Sequence, residues 1–175
     1  MALVHLGLGS NLDRARHISA GVNALQLDTE LGATSFRCSR VFESAAVGFA
    51  GSDFYNLVVS FHTHRSVQDV QQICKTIEMA HGHHPDAPKY SPRTLDIDVL
   101  LYDDMQRRAD PQLPRAEILE NAFVLWPLAE LSPLLVHPTE NLCYWQLWQA
   151  FSGSTLLHPI DFEFISPASR AHAGR

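Results

Sequence analysis

Asp96 and Asp98 stand one residue apart in the run Arg93-Thr94-Leu95-Asp96-Ile97-Asp98-Val99-Leu100-Leu101-Tyr102. Two carboxylates at that spacing, flanked by β-branched and aliphatic residues, are well suited to holding a hard divalent cation. On a strand, side chains alternate, so Asp96 and Asp98 share one face while Leu95, Ile97, Val99 and Leu101 share the other. Side by side the two acids repel each other and are costly to bury. A cation between them removes that cost. Oxygen donors of this kind suit Mg²⁺, which takes one or two carboxylates and fills its shell with phosphate oxygens and water. A bare Asp-x-Asp leaves a second reading open, a half-exposed strand with a solvated acidic face. Arg93, just upstream, is either the partner of these acids or a phosphate clamp.

The aspartate strand starts at Leu95, with Pro92 before it and Asp103-Asp104 as a turn after it. Ala2 to Gly9 is short, apolar and β-leaning, and Gly9-Ser10-Asn11 breaks it. Leu12 to Leu27 carries Ala15, Ile18, Val22 and Leu25 at helical spacing, and Leu31-Gly32-Ala33 closes that helix. Ser35 to Ser44 alternates as one strand with Phe36, Cys38 and Phe42 on a single face, and Ala45 to Ser52 is a small-residue loop. Asp53 to His62 is a further strand, with Tyr55, Leu57, Val59 and Phe61 on one face and Asn56, Val58 and Ser60 on the other. Ser66 caps a helix, with Asp69 at the capping-box position, Val67, Val70, Ile73 and Ile77 as its buried stripe, and Gly82 at its end. His83 to Pro92 is a loop holding three prolines, and Met105 to Pro114 is polar and extended. Phe123 to Leu131 predicts a short buried helix with Pro127 in its first turn or kinking it, and Tyr144 to Phe151 another helix. Strands separated by helices predict an α/β or α+β sandwich around one mixed or antiparallel sheet.

A chain of 175 residues suits one domain, here 1–165, with a frayed tail over 166–175. A net charge of −6 and a pI near 5.9 argue against nucleic acid or an anionic membrane as partner. No apolar run approaches the roughly 18–20 residues of a spanning helix, and the first residues lack the charged start of a signal peptide. Cys38, Cys74 and Cys143 are odd in number and far apart, which fits reduced thiols in the cytoplasm. His81, His83 and His84 could bind Zn²⁺, but their spacing matches no closed zinc site and a solvated loop is the simpler reading. Trp126, Trp145 and Trp148 belong to core or to an interface face.

Several segments, in order, resemble the 6-hydroxymethyl-7,8-dihydropterin pyrophosphokinase family of folate biosynthesis. They are Leu8-Gly9-Ser10-Asn11-Leu12, Phe42-Glu43-Ser44 with Val47-Gly48, Asp53-Phe54-Tyr55-Asn56, Ile77-Glu78, Pro92-Arg93-Thr94-Leu95-Asp96-Ile97-Asp98, and Asn121-Ala122-Phe123-Val124-Leu125-Trp126-Pro127-Leu128. The resemblance implies a three-layer α-β-α sandwich related to ferredoxin-like domains, acting as a monomer. It also implies transfer of the βγ-pyrophosphoryl group of ATP to the pterin hydroxymethyl, with release of AMP. Asp96 and Asp98 then hold two Mg²⁺ ions, with Arg93 beside them. Asn56 matches the pterin-reading asparagine, and Phe54 and Phe123 the two aromatics that sandwich the ring. Ser44, Ala45 and Val47 match positions that meet the pterin through their backbone. Glu78 matches a nucleotide-side glutamate.

Departures from the family pattern gather on the triphosphate side. His83 and Pro85 stand where arginines are usual, and Tyr90 where tryptophan is. A Pro-His pair becomes Pro114-Arg115, an arginine becomes Asn121, and another aligns with Asp110. Arg93 is kept, and Arg115, Lys89 and His83 are the candidates to replace the missing charge. A guanidinium is always charged and binds phosphate in bidentate fashion; histidine is only partly charged near neutrality. Three readings follow: an enzyme with compensating residues, a paralogue acting on a different pterin, or a non-catalytic pterin-binding protein with a degraded ATP site.

Overall fold

Alternating apolar residues in β1 (Ala2–Ser10) and β4 (Phe54–Thr63) pair these two strands at the centre of one sheet. The computed structural model describes residues 1–46, 51–82, 94–154 and 156–167. In chain order the other elements are α1 (Arg14–Leu27), β2 (Thr34–Cys38), β3 (Val41–Ser44), α2 (Val67–Ala80), β5 (Asp96–Tyr102), α3 (Glu117–Glu120), α4 (Ala122–Leu131), α5 (Tyr144–Gln149) and β6 (Leu157–Ile160). The strand order is β5-β1-β4-β3-β6, with β2 also on β4, and each pairing among the described residues is antiparallel. None of the described helices is long and apolar enough to cross a membrane.

Strand period sorts the core into two layers. Val4, Leu6, Leu8, Leu57, Val59 and Phe61 face α1 and α2 and meet Ile18, Val22, Leu25, Val70 and Cys74. On the opposite face Val58, Leu100 and Leu101 meet Ile118, Leu125, Leu128 and Tyr144 of α3 to α5. Each such side chain contributes roughly 1.5–3 kcal/mol on full burial, so both faces of the sheet are held firmly by helices. The sandwich expected from the sequence is the one observed. The capping box is also present: Ser66 Oγ accepts from Asp69 N and the Asp69 carboxylate accepts from Ser66 N.

Four details differ from the sequence pattern, each for a local reason. The expected strand over 35–44 is two strands, because Ser39 turns its hydroxyl onto the Arg40 carbonyl (2.7 Å) and accepts from Val58 N (3.0 Å). That break sends Phe42 to the opposite layer from Phe36 and Cys38. In β5, His5 pairs with Leu101 and Leu6 with Val99, so Leu100 is an extra residue in a bulge. Leu101 therefore packs with the α3–α5 layer instead of with Val99. Ala15 is exposed, and Ser19 and Gly21 take its place in the buried stripe of α1. Pro127 lies past the first turn of α4, where it leaves the Phe123 carbonyl without its helical donor. The strand β6 had no clear period in the sequence; it pairs with β3 at the sheet edge, where Pro159 is tolerated.

His5 of β1 is fully buried, its Nε2 2.9 Å from Ser132 Oγ. Burial, with Arg37 and His62 nearby, pushes it down to about 4. At pH 7 the ring is mostly neutral in folded and unfolded chains alike, so its effect there is small. Below its unfolded value of about 6.5 the unfolded chain takes up a proton that the folded chain refuses, and stability falls until the pH nears 4. The expected loss is about 2 kcal/mol by pH 5 and about 3 kcal/mol at the end. Denaturant midpoints of wild type and His5→Gln between pH 7 and 4.5 check this; parallel curves would rule it out.

Candidate active site

Residues directly opposite each other in an antiparallel pair project from the same face. Asp96 lies opposite Gly9, Gly9 opposite Asn56, and Asn56 opposite Phe42. A single row, Phe42-Asn56-Gly9-Asp96, thus crosses β3, β4, β1 and β5. The next row is Val58-Gly7-Asp98. With strands roughly 4.8 Å apart, Asn56 and Asp96 are about 10 Å apart across the bare Cα of Gly9. A Cβ at Gly9 would sit 3.3 Å from Asn56 Oδ1 and 3.8 Å from Phe54 Cδ1. Glycine at this point leaves a flat floor bounded by an amide, a ring and a carboxylate. Ser10, the next residue, is buried and donates its hydroxyl to the Thr94 carbonyl (2.5 Å), tying the end of β1 to the approach to β5.

Asn56 is itself almost fully buried, and its Nδ2 donates to Ser44 Oγ at 2.9 Å. Ser44 pairs with Phe54 across β3 and β4, and Ala45 follows, exposed, at the end of β3. Phe54 is half-buried. Phe123, in the first turn of α4, packs on Phe42, Ala122 and Leu157, on the α4 side of the sheet. Trp126 lies 5.0 Å from Phe42 and stacks on Trp148 at 4.8 Å, bracing that wall, whereas Trp145 is exposed.

The strand β5 is an edge, and its N–H at Ile97, between the two aspartates, donates to Glu78 Oε1 at 2.6 Å. Glu78 is fully buried, and its other oxygen receives Lys75 Nζ at 2.9 Å. The pair caps the open edge. Arg115 Nη2 lies 3.1 Å from Asp98 Oδ1 and its Nε 3.3 Å from Glu117 Oε2, while its backbone N donates to Leu100 O. Burial, and then the neighbouring Asp96, push Asp98 up to about 6, against the pull of Arg115 and Lys75. A carboxylate pair under that strain is a fitting donor set for a divalent cation. Among the described residues no three His, Cys, Asp or Glu side chains form a metal cluster.

Asp96, Asp98, Ser44, Asn56 and Phe54 share one sheet face, with Phe123 on the same side, Arg115 touching Asp98, and Glu78 behind the strand. Asp110 accepts from Gln71 Nε2 at 2.7 Å, and Asn121 is the residue before α4. Val47, His83, Pro85, Lys89, Tyr90 and Arg93 lie outside the described residues, as do His84 and residues 168–175. Sequence reading passed over two contributors. Gly9 is read there as a strand breaker and as part of a family-like segment, with no part in the site. Lys75 was not singled out, although its position three before Glu78 is a pairing signal.

A family model described as 7,8-dihydro-6-hydroxymethylpterin-pyrophosphokinase matches residues 5–133. The 2-amino-4-hydroxy-6-hydroxymethyldihydropteridine pyrophosphokinase of Aquifex aeolicus is 34% identical over 141 residues, covering 79% of this chain and 85% of its own. The protein of the same name from Porphyromonas gingivalis is 35% identical over 150 residues, covering 81% of this chain and all of its own. A crystal structure of Plasmodium falciparum HPPK-DHPS superposes with a TM-score of 0.66 at 12% identity, over 85% of this chain and 45% of that one. That last likeness concerns the fold alone.

Proposed function

Because the chain belongs to the 7,8-dihydro-6-hydroxymethylpterin-pyrophosphokinase family, we propose that its pterin lies on the Gly9 floor between Asn56 and Asp96 and receives pyrophosphate there. The reaction is pyrophosphoryl transfer from ATP to 6-hydroxymethyl-7,8-dihydropterin in folate synthesis. The pterin hydroxyl oxygen bonds to the β-phosphorus, the bond from that phosphorus to the bridging oxygen breaks, and AMP leaves with that oxygen. The hydroxyl proton passes to water. Chemistry of this kind depends mainly on positioning and on neutralising charge.

Each residue has a stated part in this reading. The Asn56 amide reads the heterocycle edge, held in orientation by Ser44. Phe54 and Phe123 stack on the ring, while Ser44, Ala45 and Val47 offer backbone groups to its rim. Asp96 and Asp98 would hold Mg²⁺, two ions in this reading, which would supply neutralisation of phosphate charge. Arg115, which touches Asp98, would bind the phosphates together with Arg93, Lys89, Tyr90 and His83, and Glu78 fixes the strand from behind. The three unpaired cysteines favour a cytoplasmic setting, and a monomer is the assembly taken in this reading.

One observation carries the proposal: the row that places the Asn56 amide and the Asp96 carboxylate on one face, either side of a glycine. The direct test is AMP formation from ATP, dependent on 6-hydroxymethyl-7,8-dihydropterin and Mg²⁺. Calorimetry then isolates the pocket. Asn56→Ala should weaken pterin binding by about 1–3 kcal/mol, the cost of ligand groups left unpaired. Equal affinity in the variant would place the pterin elsewhere. Pterin affinity without any nucleotide affinity would favour the non-catalytic reading.

A further inference from the structure

We propose that Arg14 is a positioning residue for the pterin: one guanidinium holds both ends of the connection between β3 and β4. This rests on the pyrophosphokinase reading and concerns a residue outside the proposed pocket. Three observations carry it. The first is what Arg14 grips. Its Nη2 lies 2.7 Å from Glu43 Oε2, and its Nη1 donates to the Asp53 carbonyl at 2.9 Å. Glu43 is the residue before Ser44, and Asp53 the residue before Phe54. Asn11, three residues earlier, donates to the neighbouring Ser52 carbonyl at 3.3 Å. The two limbs of the connection are thus tied to each other at the start of α1.

The second is the face from which it acts. Glu43 pairs with Tyr55, and Ser44 with Phe54. The Glu43–Tyr55 row points to the α1 layer, so the Ser44–Phe54 row points to the pterin side. Arg14 therefore works from behind the sheet, without touching the ligand. Its guanidinium carbon sits 4.0 Å over the Tyr55 ring, and Phe162 meets that ring edge-on at 5.8 Å. The segment carrying Phe162 is fastened to α1, where Ile165 N donates to Ser19 Oγ and Asn23 Nδ2 donates to the Ile165 carbonyl. The third is the link to the pocket. Ser44 Oγ accepts from Asn56 Nδ2 at 2.9 Å and orients the amide assigned to the pterin edge. One peptide unit carries a shift of Glu43 to Ser44, and one carries a shift of Asp53 to Phe54. Helix stability does not account for Arg14, because a cation in the first turn opposes the helix dipole. An isolated surface ion pair contributes little. Here a side chain only 30% exposed is engaged at once by a carboxylate, a carbonyl and a ring.

Calorimetry on the full chain tests this, titrating α,β-methylene-ATP with Mg²⁺ first and then 6-hydroxymethylpterin into the loaded protein. Arg14→Met keeps the apolar stem and removes the guanidinium. It should weaken the pterin about tenfold, the scale of one charge-assisted contact that had pre-ordered the pocket. The ATP analogue should bind as it does to wild type. Arg14→Lys keeps a charge for Glu43 but cannot also hold the Asp53 carbonyl, and should fall between. Glu43→Gln leaves an acceptor for Arg14 and should fall between as well. The double variant Arg14→Met/Glu43→Gln should be no weaker than Arg14→Met, since both changes break one linkage. In turnover the pterin KM should rise more than kcat falls, with the ATP KM unmoved. Unchanged pterin affinity in Arg14→Met, whatever its melting temperature, overturns the inference, as does an equal loss for pterin and ATP analogue. Arg14 then only fastens α1 to the sheet. If Arg14→Met does not fold, Arg14→Lys and Glu43→Gln decide by the same criterion. If wild type itself takes up no pterin, the pyrophosphokinase reading fails, and this inference with it.

Discussion

Asp96→Asn and Asp98→Asn should each lower turnover by about 10³-fold or more while leaving the fold in place. The loss follows from the metal role proposed for the pair. Lewis-acid stabilisation of phosphoryl charge contributes several kcal/mol, and each 1.4 kcal/mol is about a tenfold change in rate. An amide at either position removes one anionic donor and the charge that attracts the metal. The preserved fold follows from the electrostatics of the free site. Asp98 is disfavoured as an anion by burial and by Asp96, so a neutral isostere relieves repulsion. Its oxygen can still accept from Arg115, now 3.1 Å away. A melting temperature no lower than wild type, with pterin affinity kept through Asn56 and Ser44, is the expected result. A large drop in stability would mean the carboxylates are structural, and full turnover in either variant would remove the metal role.

Much of this site could be read from the sequence because strand alternation is a rigid rule. Asp96 and Asp98 had to share a face, as did Phe54 and Asn56, once each segment was recognised as a strand. Which faces of different strands coincide is set by register, and register depends on pairing across the sheet. That is why Gly9 escaped notice: its importance is only that it lies between Asn56 and Asp96. The two misread strands have a related cause. At Ser39 a side chain replaces a ladder partner, and at Leu100 an extra residue is accommodated in a bulge. Either event reverses the alternation beyond it, and neither changes local composition. Lys75 was hidden for a third reason. On α2 it reads as surface, and only the course of β5 along that helix turns Glu78 inward and brings the lysine to the edge.

Arg115→Ala should lower kcat/KM by about 10²–10³-fold, the range for losing one fixed donor that stabilises transferring phosphoryl charge. The guanidinium stands where the family usually has histidine, and it is held from both ends, by Asp98 and Glu117. Without ligand it serves as the counter-ion of Asp98. On the proposed reading, a metal bound at Asp98 would compete with the guanidinium for that carboxylate, and Arg115 would gain by turning to the phosphates, which it could meet in bidentate fashion. Two measurements should therefore move apart. Mg²⁺ binding without nucleotide should be no weaker in Arg115→Ala, and modestly tighter, because a competing cation has gone. Turnover with ATP should fall, with Arg115→Lys between the two, since charge is kept and the fork is lost. If metal affinity and turnover fall together, Arg115 organises Asp98 and does not meet the phosphates. If neither changes, the positive charge around the triphosphate comes from other residues, Lys89 and Arg93 being the candidates from the sequence.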